Sequence, residues 1–222
     1  MTALARFDGA EIGWPGRPVL RDLRFELQAG ERVALLGRSG SGKSTLVEAI
    51  RRQIEARQLR LALVPQDHGL VPQLSVQLNV WMGVLDDHST LANLWNLIRP
   101  TRRARAAVAP WLETVGLQGL GPQPVETLSG GQRQRTAVAR ALLRGGLVVL
   151  ADEPVSAVDQ EQSAALVRAL NGRFPTVVMA LHDTDLALAH ATRIVGLRAG
   201  GIAFDRPATE VGPADLAALY AR

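Results

Sequence analysis

Four continuous apolar runs, at 33–36, 61–64, 147–151 and 176–181, set the frame of this chain. A strand with one wet face alternates apolar and polar residues, whereas a run without alternation belongs to a strand buried on both faces. The runs therefore predict a parallel sheet with helices on each side, an α/β fold. Residues 43–57 read as a helix between the first two runs. Residues 3–36 hold short strand candidates punctuated at Pro15-Gly16 and Ala29-Gly30. Between about 68 and 127 the pattern turns helical. Ser75 is an N-cap candidate for a helix over Val76 to Val84, and 101–115 reads as a second helix interrupted by Pro110. Trp81, Trp95 and Trp111 fall in this helical lobe and are expected in its core. After 182 come a helix, a hairpin around Ala199-Gly200-Gly201 and a C-terminal helix from about Pro213. The expectation is one domain over 1–222, with the helical lobe inserted.

Composition narrows the picture slightly. The 222 residues, 47% hydrophobic, suffice for one substantial core or a core with an inserted lobe. No run approaches the roughly 20 apolar residues of a membrane span, and the N-terminus lacks a signal-peptide pattern. With no cysteines, disulfides and thiol catalysis are excluded. A net charge of +4 predicts no nucleic-acid partner. The local cluster Arg99, Arg102, Arg103 and Arg105 reads as the solvated start of a helix, with acidic lipid headgroups or a partner as the alternative.

The chemistry begins at Lys43, the only lysine in the chain. It lies in Gly37-Arg38-Ser39-Gly40-Ser41-Gly42-Lys43-Ser44-Thr45, which fits the P-loop pattern G-x-x-x-x-G-K-[ST]. The glycines let backbone N–H groups converge on phosphate oxygens. The lysine reaches the β- and γ-phosphates as a compact point charge, where a planar guanidinium would crowd the nest. The run Val33 to Leu36 before the loop and Leu46 to Ile50 after it give the strand-then-helix context the motif needs. The core is thus a P-loop NTPase core.

Four further segments follow in order. Gln66 comes after the strand Leu61 to Val64. Leu128-Ser129-Gly130-Gly131-Gln132 reads LSGGQ. Leu147 to Ala151 ends in Asp152-Glu153, followed by Ser156-Ala157-Val158-Asp159. His182 ends the strand that begins at Val177. Together with the P-loop, these resemble the nucleotide-binding subunit of an ATP-binding cassette (ABC) transporter over nearly the whole chain.

The resemblance implies ATP and Mg²⁺ as cofactors. Ser39, Ser41, Thr45 and the loop glycines Gly37, Gly40 and Gly42 would cradle phosphate with Lys43. Ser44 and Asp152 would ligate Mg²⁺. Glu153 would polarise the attacking water, His182 would sense the γ-phosphate, and Gln66 would touch the metal or the water. Trp14 would stack on adenine. The signature Ser129, Gly130, Gly131 and Gln132 opens a helix whose N-terminus favours an anion, and would face the γ-phosphate of a second cassette. Asp159 belongs to the nucleotide-binding set through its loop. The implied partners are that second cassette in a head-to-tail dimer, an integral-membrane permease and, indirectly, a solute-binding protein. The implied place is peripheral, on the cytoplasmic face of the cell membrane.

The interval from Thr45 to Pro65 departs from the family pattern. It holds little more than one helix and one strand, where a typical cassette adds a β-hairpin. The small antiparallel subdomain is therefore expected to be shortened. Within the family, Leu150-Ala151-Asp152-Glu153-Pro154-Val155, Leu181 to Leu188, Arg193 to Gly200, Leu70 to Val80 and the ending Leu219-Tyr220 are similar to phosphonate-importer ATPases. A non-transport cassette ATPase in a soluble phosphonate-metabolising assembly is the alternative.

Overall fold

The computed structural model describes residues 3–14, 16–98 and 100–221, without the side chains of Trp14 and Ile98. Strands β1 (Ala3–Trp14) and β2 (Arg17–Gln28) form an antiparallel pair. They are longer than the short strands expected from their turn residues. A six-stranded sheet is built from β3 (Arg32–Leu36), β4 (Leu61–Val64), β5 (Val148–Asp152), β6 (Thr176–Ala180), β7 (Arg193–Arg198) and β8 (Gly201–Pro207), in the order β4-β5-β6-β3-β7-β8. All neighbours are parallel except the β7–β8 hairpin.

The apolar runs supply both faces of this sheet. Along β3, Ala34 and Leu36 pack into one core, while Val33 and Leu35 pack into the other. The first core also takes Val149, Ala151, Val177 and Met179 and the helices on that side. The second is closed by helix α1 (Lys43–Ala56), through Leu46, Ile50 and Ile54, and by the β1–β2 pair, through Leu23, Phe25 and Leu27.

The antiparallel region is short, as the sequence indicates, and β1 pairs only with β2 among the described residues. Its free edge is partly satisfied by α1. The Gln53 amide accepts from the Arg6 backbone N–H and donates to the Arg6 carbonyl, both at 2.8 Å. One side chain thus makes the two bonds that a neighbouring strand would make there.

The lobe between β4 and helix α5 (Gly130–Arg144) contains α2 (Val76–Trp81), α3 (Thr90–Ile98) and α4 (Arg102–Thr114). Ser75 caps α2 by accepting from Leu78 N–H. The regular helix stops at Trp81, short of the expected Val84, and tightens into a 3₁₀ stretch over Met82–Asp87 with Val84 off helical geometry. Pro110 does not interrupt α4. The buried stripe Ala104, Val108 and Leu112 holds the helix together across the missing N–H. The tryptophans divide: Trp81 is buried and Trp111 lies under the Arg173 guanidinium, but Trp95 is 61% exposed and stands outside the core. Helices α6 (Gln160–Arg173), α7 (Thr184–His190) and α8 (Pro213–Tyr220) complete the fold.

Candidate nucleotide site

Because β4, β5, β6 and β3 run parallel, their carboxyl ends lie along one edge of the sheet. Ligands of open α/β sheets bind outside such an edge. Four of the sequence motifs follow these strands: Gln66 follows β4, Asp152-Glu153 ends β5, His182 follows β6, and the P-loop follows β3.

Two glycines in the P-loop are required by its geometry. Gly37 has φ 150°, and a Cβ there would collide with the Leu197 carbonyl and the Ser41 side chain. Gly42, the N-cap of α1, has φ 104°, and a Cβ there would collide with the Leu20 side chain. Lys43 is buried, and its Nζ donates to the carbonyls of Gly37 at 2.8 Å and Arg38 at 3.2 Å. The ammonium is thereby folded back over its own loop. Burial pushes its pKa down, opposed by the charges of Glu153 and Asp152. Ser39 and Gly40 are exposed at the loop tip, Ser44 is exposed and Thr45 half-buried. The Ser41 hydroxyl is buried without a partner.

Ser44, Gln66 and Asp152 line one cavity of about 280 Å³. Burial pushes the Asp152 carboxyl up, while a hydrogen bond from Ser44 and the Lys43 charge pull the other way. Its Oδ1 is buried with no hydrogen-bond partner. A buried carboxylate oxygen with nothing to accept, beside a hydroxyl and an amide oxygen, is the donor set a hard divalent cation takes. The residues fit Mg²⁺.

Next to Asp152, Glu153 adopts φ 53°, which turns its side chain out of the strand line. Its N–H is held by the Ala180 carbonyl at 3.1 Å. Its Oε1 lies 2.7 Å from His182 Nε2. Both line a second cavity of about 480 Å³ with Ser156, Val158 and Asp183. The histidine is 47% exposed at its side chain, so it is not a packed core residue.

Ser129 caps α5. Its hydroxyl accepts from Gln132 N–H at 3.3 Å, and the Gln132 side chain accepts from Ser129 N–H at 2.9 Å. This capping box occupies the Gln132 amide oxygen and leaves Ser129 exposed, with Gly130 and Gly131 in the first turn. The cavities at Asp152 and at Glu153 contain none of these signature residues. Asp159 caps α6, accepting from Gln162 N–H at 2.9 Å. The Trp14 reading concerns a side chain outside the described residues. Ile12, Gly13 and Phe7 of β1 face Thr45, Glu48 and Arg52 of α1 across a cavity of about 430 Å³ that reaches Ser44.

One residue was missed in the sequence. Gln134 of α5 is buried, donates to the Glu153 carbonyl at 2.5 Å and to Ser156 Oγ at 3.2 Å, and accepts from Ala157 N–H at 2.8 Å. It fastens the signature helix to the loop after β5. A glutamine two positions past LSGGQ in an amphipathic helix carries no sequence signal for that contact.

A family model described as ABC transporter matches residues 20–156. The chain belongs to the ABC transporter family. ATP binding comes with that membership, and the chain is an ATPase. Among curated relatives it is 40% identical over 232 residues to the phosphonates import ATP-binding protein PhnC 2 of Pseudomonas aeruginosa, covering 93% of this chain and 86% of the relative. It is 38% identical to the phosphonates import ATP-binding protein PhnC of Anaeromyxobacter dehalogenans, covering 90% of this chain but only 45% of that longer relative. A dimeric ATP-binding cassette solved in a post-hydrolysis state with ADP and phosphate superposes with a TM-score of 0.71 at 25% identity, over 86% of this chain and 91% of that one.

Proposed function

We propose that the chain hydrolyses ATP to energise an importer of phosphonate or a related phosphorus oxyanion. The observation that carries the catalytic part is the Glu153–His182 contact beside the Ser44–Asp152 cavity. Lys43 and the loop glycines bind the β- and γ-phosphates. Ser44 and Asp152, with Gln66, hold Mg²⁺, which neutralises phosphate charge when bound. Glu153 orients water for in-line attack, and His182 fixes Glu153 and contacts the γ-phosphate. Trp14 stacks on adenine.

In this reading Ser129, Gly130, Gly131 and Gln132 act on nucleotide held by a second cassette, and Asp159 lies in the loop between the two sites. Exposure of Ser129 outside the cavities at Asp152 and Glu153 supports action in trans, and the similar solved cassette is a dimer. The helical lobe, about 68–127, faces the permease. An open groove of about 380 Å³ between Leu61, Pro65, Met82, Gly83 and Arg144 offers a seat for a cytoplasmic permease segment next to Gln66. The subunit then works peripherally at the cytoplasmic membrane face, with a solute-binding protein delivering substrate from the far side. The names of the relatives support the solute class.

The test is co-purification from detergent-solubilised membranes, followed by uptake of labelled phosphonate into vesicles holding the recovered complex. ATP-dependent accumulation that disappears with Glu153→Gln is expected. Recovery of the chain with soluble partners and no membrane protein would contradict transport.

A further inference from the structure

Helix α3 is inverted. A surface helix normally turns its apolar stripe to the core and its polar face to water. Among the described side chains of α3 the most buried is Asn96, and Asn93 is half-buried, while Leu91, Leu94, Trp95 and Leu97 all stand exposed. The two asparagines hold the helix to the lobe. Asn93 donates to the Leu85 carbonyl at 2.9 Å, and Asn96 accepts from Thr101 N–H at 2.9 Å. The outward leucines and tryptophan are thus set by a built polar seam rather than by a loose segment.

The charge beside this face is one-sided. Residues 88–112 contain four arginines and no acidic residue, and with those four set aside the remaining 21 basic residues match the chain's 21 acidic ones. The whole net charge of +4 therefore sits in this stretch. Arg102, Arg103 and Arg105, in the first turn of α4, are exposed. Among the described residues none of the three has a carboxylate partner.

We propose that α3 and the start of α4 form a contact site for an anionic lipid bilayer, with the Leu91, Leu94, Trp95 and Leu97 face entering the headgroup boundary and the arginines meeting lipid phosphates. Leucine and tryptophan on one face flanked by arginine is the composition of an interfacial helix. An anionic leaflet supplies the charge that these arginines lack in the chain. The groove assigned above to the permease takes Met82 and Gly83 from the 3₁₀ stretch Met82–Asp87, and α3 begins three residues after that stretch, at Thr90. The bilayer contact does not depend on the solute or on the nucleotide chemistry. Nine residues of helix bind weakly alone, so the contact orients a subunit that a permease already holds.

The test uses the purified full chain and sedimentation with vesicles of phosphatidylcholine alone or with one quarter phosphatidylglycerol. Binding to the anionic vesicles only is expected, weakened at high salt and by about fivefold for each of Arg102→Gln, Arg103→Gln and Arg105→Gln. Leu91→Asp with Trp95→Asp should abolish it while ATPase activity is unchanged, which shows the fold intact. Brominated lipid should quench tryptophan emission in the wild type and lose most of that quenching in Trp95→Tyr. Equal sedimentation with neutral and anionic vesicles, or undiminished binding by the double aspartate variant, would overturn the proposal. So would wild-type protein that ignores vesicles but loses a solubilised permease when Leu91 and Trp95 are replaced, which would assign the face to protein instead.

Discussion

Glu153 and His182 meet at 2.7 Å across the ends of two adjacent parallel strands. The contact joins a carboxylate raised out of strand geometry by a positive φ to a half-exposed imidazole. His182→Ala should leave ATP affinity nearly unchanged and lower kcat by about 10²-fold or more, since a positioned group in the transition state is removed. Steady-state ATPase assays separate kcat from KM, and a full kcat in the variant would sever the contact from catalysis.

Gln134→Leu should act at a distance from nucleotide. It leaves the Glu153 carbonyl and the Ala157 N–H without their partner, a cost of about 1–3 kcal/mol in denaturant unfolding. It should also lower kcat by up to about 10²-fold through a displaced Glu153 loop, with KM for ATP little changed. Gln134→Glu keeps an acceptor for the Ala157 N–H but loses the donor to the Glu153 carbonyl, and should not restore activity. Wild-type turnover in the leucine variant would reduce Gln134 to packing.

Much of the site was legible because its parts are local. A P-loop needs eight consecutive residues, Gly37 to Ser44, and Asp152-Glu153 needs only the end of an apolar run. The strand runs were equally plain, since burial on both faces leaves no alternation to confuse with helix. Contacts between distant segments were not legible. Nothing in the one-dimensional pattern says that Gln134 reaches Glu153, or that Gln53 stands in for a strand against Arg6. In the lobe, Trp95 was expected in the core because tryptophan in a helical stretch usually is. The spacing of Asn93 and Asn96, not the apolar residues, decided which face turned inward. Pro110 misled for a related reason: tertiary packing of Ala104, Val108 and Leu112 outweighs one lost helical bond.

Lys43 allows a chemical test because no other lysine competes. An amine-reactive reagent should modify this side chain and the N-terminus. Burial pushes the Lys43 pKa down, which favours the reactive neutral amine. Mg-ATP should protect Lys43 and not the N-terminus, whereas AMP, lacking β- and γ-phosphates, should protect neither. Lys43→Arg should be severely impaired although the charge is kept. Peptide mass mapping reads the result, and equal labelling with and without saturating Mg-ATP would remove the phosphate contact.

Action in trans predicts a particular mixture. Ser129→Arg and Lys43→Ala should each be inactive alone. Mixed, they should regain part of the activity, because one site of the mixed dimer then has both an intact P-loop and an intact signature. A dead mixture in which neither site traps nucleotide would contradict a composite site built from two copies of this chain.

The most direct measurement is made on Glu153→Gln, with ATP binding and turnover followed side by side. The amide keeps the side chain's shape but cannot accept a proton from water as the carboxylate does, so the catalytic loss should come without a binding loss. The expected result is ATP affinity within a few-fold of wild type, as about 1.4 kcal/mol spans tenfold, together with hydrolysis reduced by about 10²-fold or more. Hydrolysis at the wild-type rate would contradict the assignment of Glu153 and the site built around it.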